Sequence, residues 1–138
     1  MSIKFDIRGF KEIDIALNRR IDDLTKGVDA EMDKAVLEIN AKQVSYTPVD
    51  TGLLSRGNSF DISKPLDKTL KNGIEYAGYV EFGTGGLVNV PPGLEDLAIT
   101  WKGAGVRKVN LRPQPFFFRA FFEETPKMLA RIKAVINK

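Results

Sequence analysis

From Phe10 onward the apolar positions step by three or four: Phe10, Ile13, Leu17, Ile21, Leu24, Val28, Met32, Ala35 and Ile39. That spacing puts one apolar stripe on a helix. It predicts either one helix to about Val44, on the order of 50 Å long at 1.5 Å per residue, or two helices joined near Gly27. A glycine there costs about 1 kcal/mol against alanine. Ahead of the stripe, Ile3, Phe5 and Ile7 alternate with Lys4, Asp6 and Arg8, the period of a half-buried strand, which Gly9 ends. Pro48 stops the helix, because the residue before a proline is pushed out of the α region. Asp50 is placed to accept bonds from backbone N–H groups two residues on, and Gly52 tolerates positive φ. Residues 47–54 therefore read as a tight turn delivering the chain into a sheet.

Residues of about 54–63 and 67–76 suit two antiparallel strands joined near Lys64-Pro65-Leu66, with Asn72-Gly73 as a bulge or a turn. Between 83 and 111, six glycines and Pro91-Pro92 argue against regular structure, although 94–101 has room for a short helix or strand. Loops longer than about 12–15 residues in a compact domain are usually functional or disordered. Arg112-Pro113-Gln114-Pro115 then leads into a helix with Phe118, Phe121, Phe122, Leu129, Ile132 and Ile136 on one face, and the phenylalanine group 116–122 reads as core. Pro115 suits the first turn. Pro126 removes the bond to the Phe122 carbonyl, which predicts a kink or a restart capped by Thr125. The expectation is an α+β domain spanning 1–138: a long N-terminal helix, a small antiparallel β-sheet, a long Gly/Pro-rich basic loop and a C-terminal helix.

Composition narrows the chemistry more than the fold. At 138 residues the chain suits one domain. Its net charge of +3 is small, but residues 99–119 hold five cations (Lys102, Arg107, Lys108, Arg112, Arg119) and no acid. Such a patch suits an acidic protein face or phosphates. With no cysteine there is neither a disulfide nor a thiolate metal site. With no histidine the usual neutral-pH acid–base group and zinc ligand are missing. No apolar run approaches the roughly 18–20 residues of a membrane span. Met1-Ser2-Ile3-Lys4-Phe5-Asp6 lacks the layout of a signal peptide, so the expectation is a protein made and used without secretion.

Four candidate motifs fail on their surroundings. Asp50-Thr51-Gly52 matches an aspartic-protease loop in letters, but that chemistry needs two such aspartates sharing a proton and a preceding apolar strand; here a helix and a proline precede it. Glu75 and Glu81 have no group to set their pKa values apart. Gly83-Thr84-Gly85-Gly86 lacks the Lys-Ser/Thr of a phosphate loop, and Val88 stands where the dinucleotide fingerprint needs its last glycine. Asp29, Glu31 and Asp33 imitate the start of a calcium loop, yet Lys34 takes the glycine position and Asn40 the bidentate glutamate position; they read as the solvated face of the helix. No catalytic, cofactor or metal residue is expected. In 76–84, Tyr76, Val80 and Phe82 read as core, with Glu81 either solvated or bonded to a nearby backbone or cation. Trp101 beside the cations permits nucleic-acid binding, although a stacking platform interleaves several aromatics with basic residues.

Three signatures stand in order: Thr47-Pro48-Val49-Asp50-Thr51-Gly52-Leu53-Leu54, Tyr76-Ala77-Gly78-Tyr79-Val80-Glu81-Phe82-Gly83-Thr84, and Arg112-Pro113-Gln114-Pro115-Phe116. On these the chain resembles the bacteriophage neck or tail-completion family of long-tailed phages, of the type named after a gene-10 product, over about residues 3–137. The resemblance implies an α+β subunit at the joint between capsid and tail, a virion protein assembled in the host cytoplasm. It further implies a ring of several copies, sixfold for example, with other neck and tail proteins as partners and DNA passing through the centre. Members of that family are not enzymes and have no known cofactor. The resemblance makes Pro48, Asp50, Thr51 and Gly52 a turn and fold motif. It gives Glu81, Phe82, Gly83 and Thr84 a role in the fold or in the ring contact, joined in the contact by Trp101, Lys102, Arg107, Lys108 and Arg112. The 83–111 insert is longer and richer in glycine than is typical. The alternative from another class is a small basic nucleic-acid-binding protein.

Overall fold

The chain is described by a computed structural model covering residues 8–99 and 111–138. It is α+β, with a long N-terminal helix, a two-stranded antiparallel sheet and a C-terminal helix. The expected strand at Ile3, Phe5 and Ile7 lies outside the described residues, as does the stretch 100–110.

Helix α1 runs unbroken from Phe10 to Tyr46, 37 residues, or about 55 Å. There is no joint at Gly27. A Cβ at Gly27 would stand 2.7 Å from Val135 Cγ1, so its missing side chain lets a second helix approach closely. α1 ends at the expected place. The Thr47 backbone N–H donates to the Gln43 carbonyl at 3.0 Å and the Thr47 hydroxyl donates to the same oxygen, just before Pro48. The chain does not enter the sheet directly, because Leu53–Arg56 forms a short helix, α2. Strand β1 is then Asn58–Lys64 and β2 Asp67–Asn72, paired from Asn58↔Asn72 to Lys64↔Asp67 with an irregularity between Asp61 and Lys64. The expected strands were thus too long at their outer ends. β2 stops at Asn72, whose side chain turns the chain by accepting the Ile74 N–H at 2.9 Å.

Pro65 and Leu66 make the hairpin turn, with Leu66 at φ 58°, as the third place of a type II turn requires. A leucine is strained there, and the turn is held from outside: the Leu66 N–H donates to Asp29 Oδ1 of α1 at 2.7 Å. Lys68 docks the same hairpin. Its buried ammonium lies 2.7 Å from both Asp29 and Asp33. Burial alone would lower its pKa, but the bonds to the two aspartates outweigh that and hold it above the ordinary value. Asp29 and Asp33 are therefore clamps for the sheet and not the solvated face read from sequence.

Residues 77–82 form a helix, α3 (Ala77–Phe82), followed by a 3-10 turn at Gly85–Leu87 and a short helix α4 (Glu95–Ile99). The first part of the expected irregular insert is therefore partly regular, and Ala98 of α4 is buried. Helix α5 spans Phe117–Ile136 with Pro126 inside it. It begins two residues after Pro115, and it does not restart at Thr125, whose hydroxyl donates to the Phe121 carbonyl at 2.7 Å, a bond to the turn before it.

α5 lies antiparallel against the C-terminal half of α1. At one end Gln43 Nε2 donates to the Phe117 carbonyl at 3.2 Å, at the other Val135 meets Gly27, and between them Arg131 pairs with Glu31 at 2.8 Å and Glu38 at 3.1 Å. The buried apolar set is small: Ala35, Val36, Ile39, Leu54, Phe82, Ala98, Phe116 and Ala120. Two expectations fail against it. Tyr76 is exposed and Val80 half-buried, so only Phe82 of the three aromatic and aliphatic residues named in 76–84 is core. Of the phenylalanine group, Phe116 alone is fully buried.

Candidate functional site: a motif junction and two open apolar faces

The second and third signature segments meet at one buried carboxylate. Glu81, at the end of α3, accepts three backbone N–H groups at the start of α5: Phe116 and Phe117 on Oε2 at 2.8 and 3.0 Å, and Phe118 on Oε1 at 3.0 Å. The first N–H groups of a helix have no partner within it, and no side chain of α5's own first turn caps them. Glu81 supplies the cap from 35 residues away, and its charge sits where the helix dipole is positive. The rest of the two segments is stitched alongside. Gln114 N–H donates to the Val80 carbonyl at 2.8 Å, Thr84 N–H to the Leu111 carbonyl at 3.0 Å, and Leu111 N–H to Thr84 Oγ1 at 2.8 Å. Gly83, at φ 78°, lies so close to this strand of chain that a Cβ would stand 2.7 Å from the Leu111 carbonyl oxygen. Glycine alone meets both conditions.

The first signature joins from the other side. Thr47, buried, accepts from Asn58 Nδ2 at 3.2 Å. Pro48, Asp50, Thr51 and Gly52 line a cavity of about 200 Å³ against Tyr76 and Val80 of the second signature. Gly52 has the expected positive φ of 75°. The turn's side-chain bond comes from Thr51, whose Oγ1 accepts the Leu53 N–H at 3.4 Å, and not from Asp50, which is exposed.

Beside the junction, one ion cluster fastens α5 to α1. Lys42 Nζ lies 2.6 Å from Glu124 and 3.1 Å from Glu123; Tyr46 donates its hydroxyl to Glu123 at 2.7 Å, and Arg119 donates to the same carboxylate at 3.1 Å while its guanidinium stacks 4.3 Å over the Tyr46 ring. The bonds from Tyr46, Lys42 and Arg119 hold Glu123 down to about 2 from its ordinary 4.5. Those to Glu124 and Glu123 raise Lys42, and the bond to Glu123 raises Tyr46. Sequence could not join Lys42 to Glu123 across 81 positions. Gln43 had left a trace, as the polar residue four places after Ile39 on the apolar stripe.

The predicted contact residues are divided by this arrangement. Glu81, Phe82, Gly83 and Thr84 are all buried within the chain, with their polar groups engaged as above, which is the arrangement expected of residues that serve the fold. Arg112 is exposed. Trp101, Lys102, Arg107 and Lys108 lie outside the described residues. Among the described residues no group of three or more carboxylates is arranged to hold a metal ion, and no helix is long and apolar enough to cross a membrane.

What does lie open is apolar. On α1, Phe10, Ile13, Leu17 and Ile21 are 64%, 56%, 57% and 58% exposed. On α5, Phe122, Leu129 and Ile136 are 46%, 49% and 52% exposed, and of these Phe122 belongs to the group expected to be core. Soluble chains seldom leave such contiguous stripes bare unless they bind something. No known family, curated protein or solved structure matches this chain.

Proposed function

We infer that this chain is a structural assembly subunit at a phage neck, completing or joining a tail as one copy in a ring. The observation that carries the reading is the use of the three signature segments. Their buried polar groups are spent on holding α3, α5 and the end of α1 together, while Phe10, Ile13, Leu17 and Ile21 of α1, Phe122, Leu129 and Ile136 of α5, and Arg112 are left outward. A fold built this way is braced for contact with other proteins. The resemblance on the three segments supplies the place of that contact, and the cations at 102–119 would meet an acidic face of a neighbouring ring, an association weakened by salt.

The test has two steps. Native mass spectrometry or light scattering over a range of concentration and salt reads the free protein's assembly, with a closed ring of several copies as the expected product. Immunogold labelling of particles carrying a tagged copy then reads its position, expected at the head–tail joint. Label absent from every particle, together with tight DNA binding by the free protein that falls steeply with salt, would replace this reading with the nucleic-acid-binding one.

A further inference from the structure

The two bare stripes are complementary in kind and cannot cover each other within one chain. α5 ends beside Gly27, because Val135 is the residue that meets it. Residues 10–24 of α1 therefore run on as an arm of about 21 Å, with the same apolar face that holds α5 further along and no element among the described residues across from it. On α5 the side turned to α1 carries Phe117, Ala120, Glu124, Arg131 and Val135. At 100° per residue, Phe118, Phe122, Thr125, Leu129, Ile132 and Ile136 form a stripe centred about 120° round the helix from that side. Their spacing alternates four and three, the seam that pairs one helix with another. Of these residues, Phe122, Leu129 and Ile136 are exposed, while Phe118 stacks on the buried Phe82 at 6.0 Å. An arm pointing past the end of α5 can reach an outward seam only on another copy.

Charge favours that pairing. The arm holds four acids, Glu12, Asp14, Asp22 and Asp23, against Lys11, Arg19 and Arg20, and none of the four acids makes an ion pair among the described residues. Both acids of α5, Glu123 and Glu124, are already bonded inside the chain. Lys133, beside the seam, has no such partner among the described residues and is exposed.

We propose that the α1 arm of one copy docks on the outer α5 seam of the next. Arm and seam are different surfaces, so the contact is head-to-tail: every copy gives one arm and receives one, and the chain of copies closes when the rotation between neighbours allows it. A contact confined to one face of a 15-residue arm is small beside the roughly 800 Å² per partner of a stable pair. A single pair is therefore weak, and assembly depends on concentration or on a template. The inference rests on the neck reading only for the closing of the ring.

Leu17→Asp and Leu129→Asp each spoil one surface at an exposed position, so both variants keep the fold, checked by circular dichroism. In sedimentation velocity each variant alone stays monomeric at concentrations where the natural chain associates. An equimolar mixture gives a heterodimer and nothing larger, because one good arm meets one good seam. Since the chain has no cysteine, Leu17→Cys and Leu129→Cys copies can also be mixed with a thiol-specific bifunctional cross-linker, and the mixed product should exceed either homodimer. Self-association of Leu129→Asp equal to that of the natural chain, with only Leu17→Cys homodimers, would mean that arm pairs with arm and overturn the proposal. So would absence of any cross-link between monomers throughout. A ring that survives Leu17→Asp would overturn the contact and leave the neck reading standing. An arm-to-seam contact that builds only open filaments would keep the contact and remove the ring.

Discussion

Along α1, residues 10–24 and residues 27–46 carry the same apolar stripe and differ in what lies across from it. In the second stretch Ala35, Val36 and Ile39 are buried under α5 and the hairpin, and Glu31, Glu38, Lys42 and Gln43 are bonded to α5. In the first stretch residues of equal hydrophobicity stand in solvent. Periodicity reports that a helix has an apolar side. Whether the covering partner is in the same chain is decided by where other elements end, and α5 ends at Ile136. The helix itself does not end with its cover. Isolated helices of about 12–15 residues are marginal in water, so the arm's order depends on continuing from the packed half.

The comparison breaks most visibly under truncation. Ile39→Ala removes methyl and methylene groups from a site that is only 2% exposed, and is expected to cost about 3 kcal/mol. Ile13→Ala at the far end of the same stripe is expected to cost less than about 0.5 kcal/mol in the isolated protein. Urea unfolding of both, at concentrations low enough to keep the chain monomeric, reads the difference. Equal losses would mean that the arm is covered within its own chain.

Next in size is the junction that fixes where α5 begins. Glu81→Ala leaves the N–H groups of Phe116, Phe117 and Phe118 without their acceptor, and is expected to cost about 2 kcal/mol. Glu81→Gln keeps an oxygen and should lose roughly half as much. An Ala variant as stable as the natural chain would show that water replaces the carboxylate at no cost. This junction is also where sequence reading stopped short. The end of α1 at Pro48, the hairpin around Pro65 and the positive φ of Gly52 were legible because each depends on neighbours within a few residues. Glu81 was left between solvent, backbone and cation, because its partners lie 35 to 37 positions on, at the end of the third signature and just past it. The outward phenylalanines of α5 were misread for a related reason: Phe121 and Phe122 have core-like spacing, while the inward side holds Glu124 and Arg131, whose burial depends on Lys42, Glu31 and Glu38.

Acid should loosen the packed half first. Glu123 is held at about 2 in the folded chain against an ordinary 4.5. Its stabilising share is therefore complete above about pH 4.5 and lost as pH falls from there toward about 2, where the folded state too takes up the proton. The thermal midpoint should drop through that window, and Glu123→Gln should flatten the drop while lowering the midpoint at neutral pH. The raised pKa of Lys42 works in the opposite sense, its share being present at neutral pH and lost only in strong alkali. An unchanged slope in the glutamine variant would place the acid sensitivity elsewhere, with Glu124, Asp29 and Asp61 the other carboxylates held low.

The smallest effect tests the boundary itself. At Gly27 two forces of similar size oppose each other. An alanine would gain about 1 kcal/mol of helix propensity, and its methyl would stand 2.7 Å from Val135 Cγ1, a contact that a β-branched side chain yields poorly. Gly27→Ala alone should therefore change stability by less than about 1 kcal/mol. Val135→Ala removes the opposing methyl, and on that background the same Gly27→Ala step should recover the full propensity gain, stabilising by about 1 kcal/mol. The difference between the two steps is the coupling between α1 and the last turn of α5. A coupling of zero would mean that α5 is already frayed at Val135, so that the bare arm begins nearer Glu31 and the uncovered face is longer by a turn.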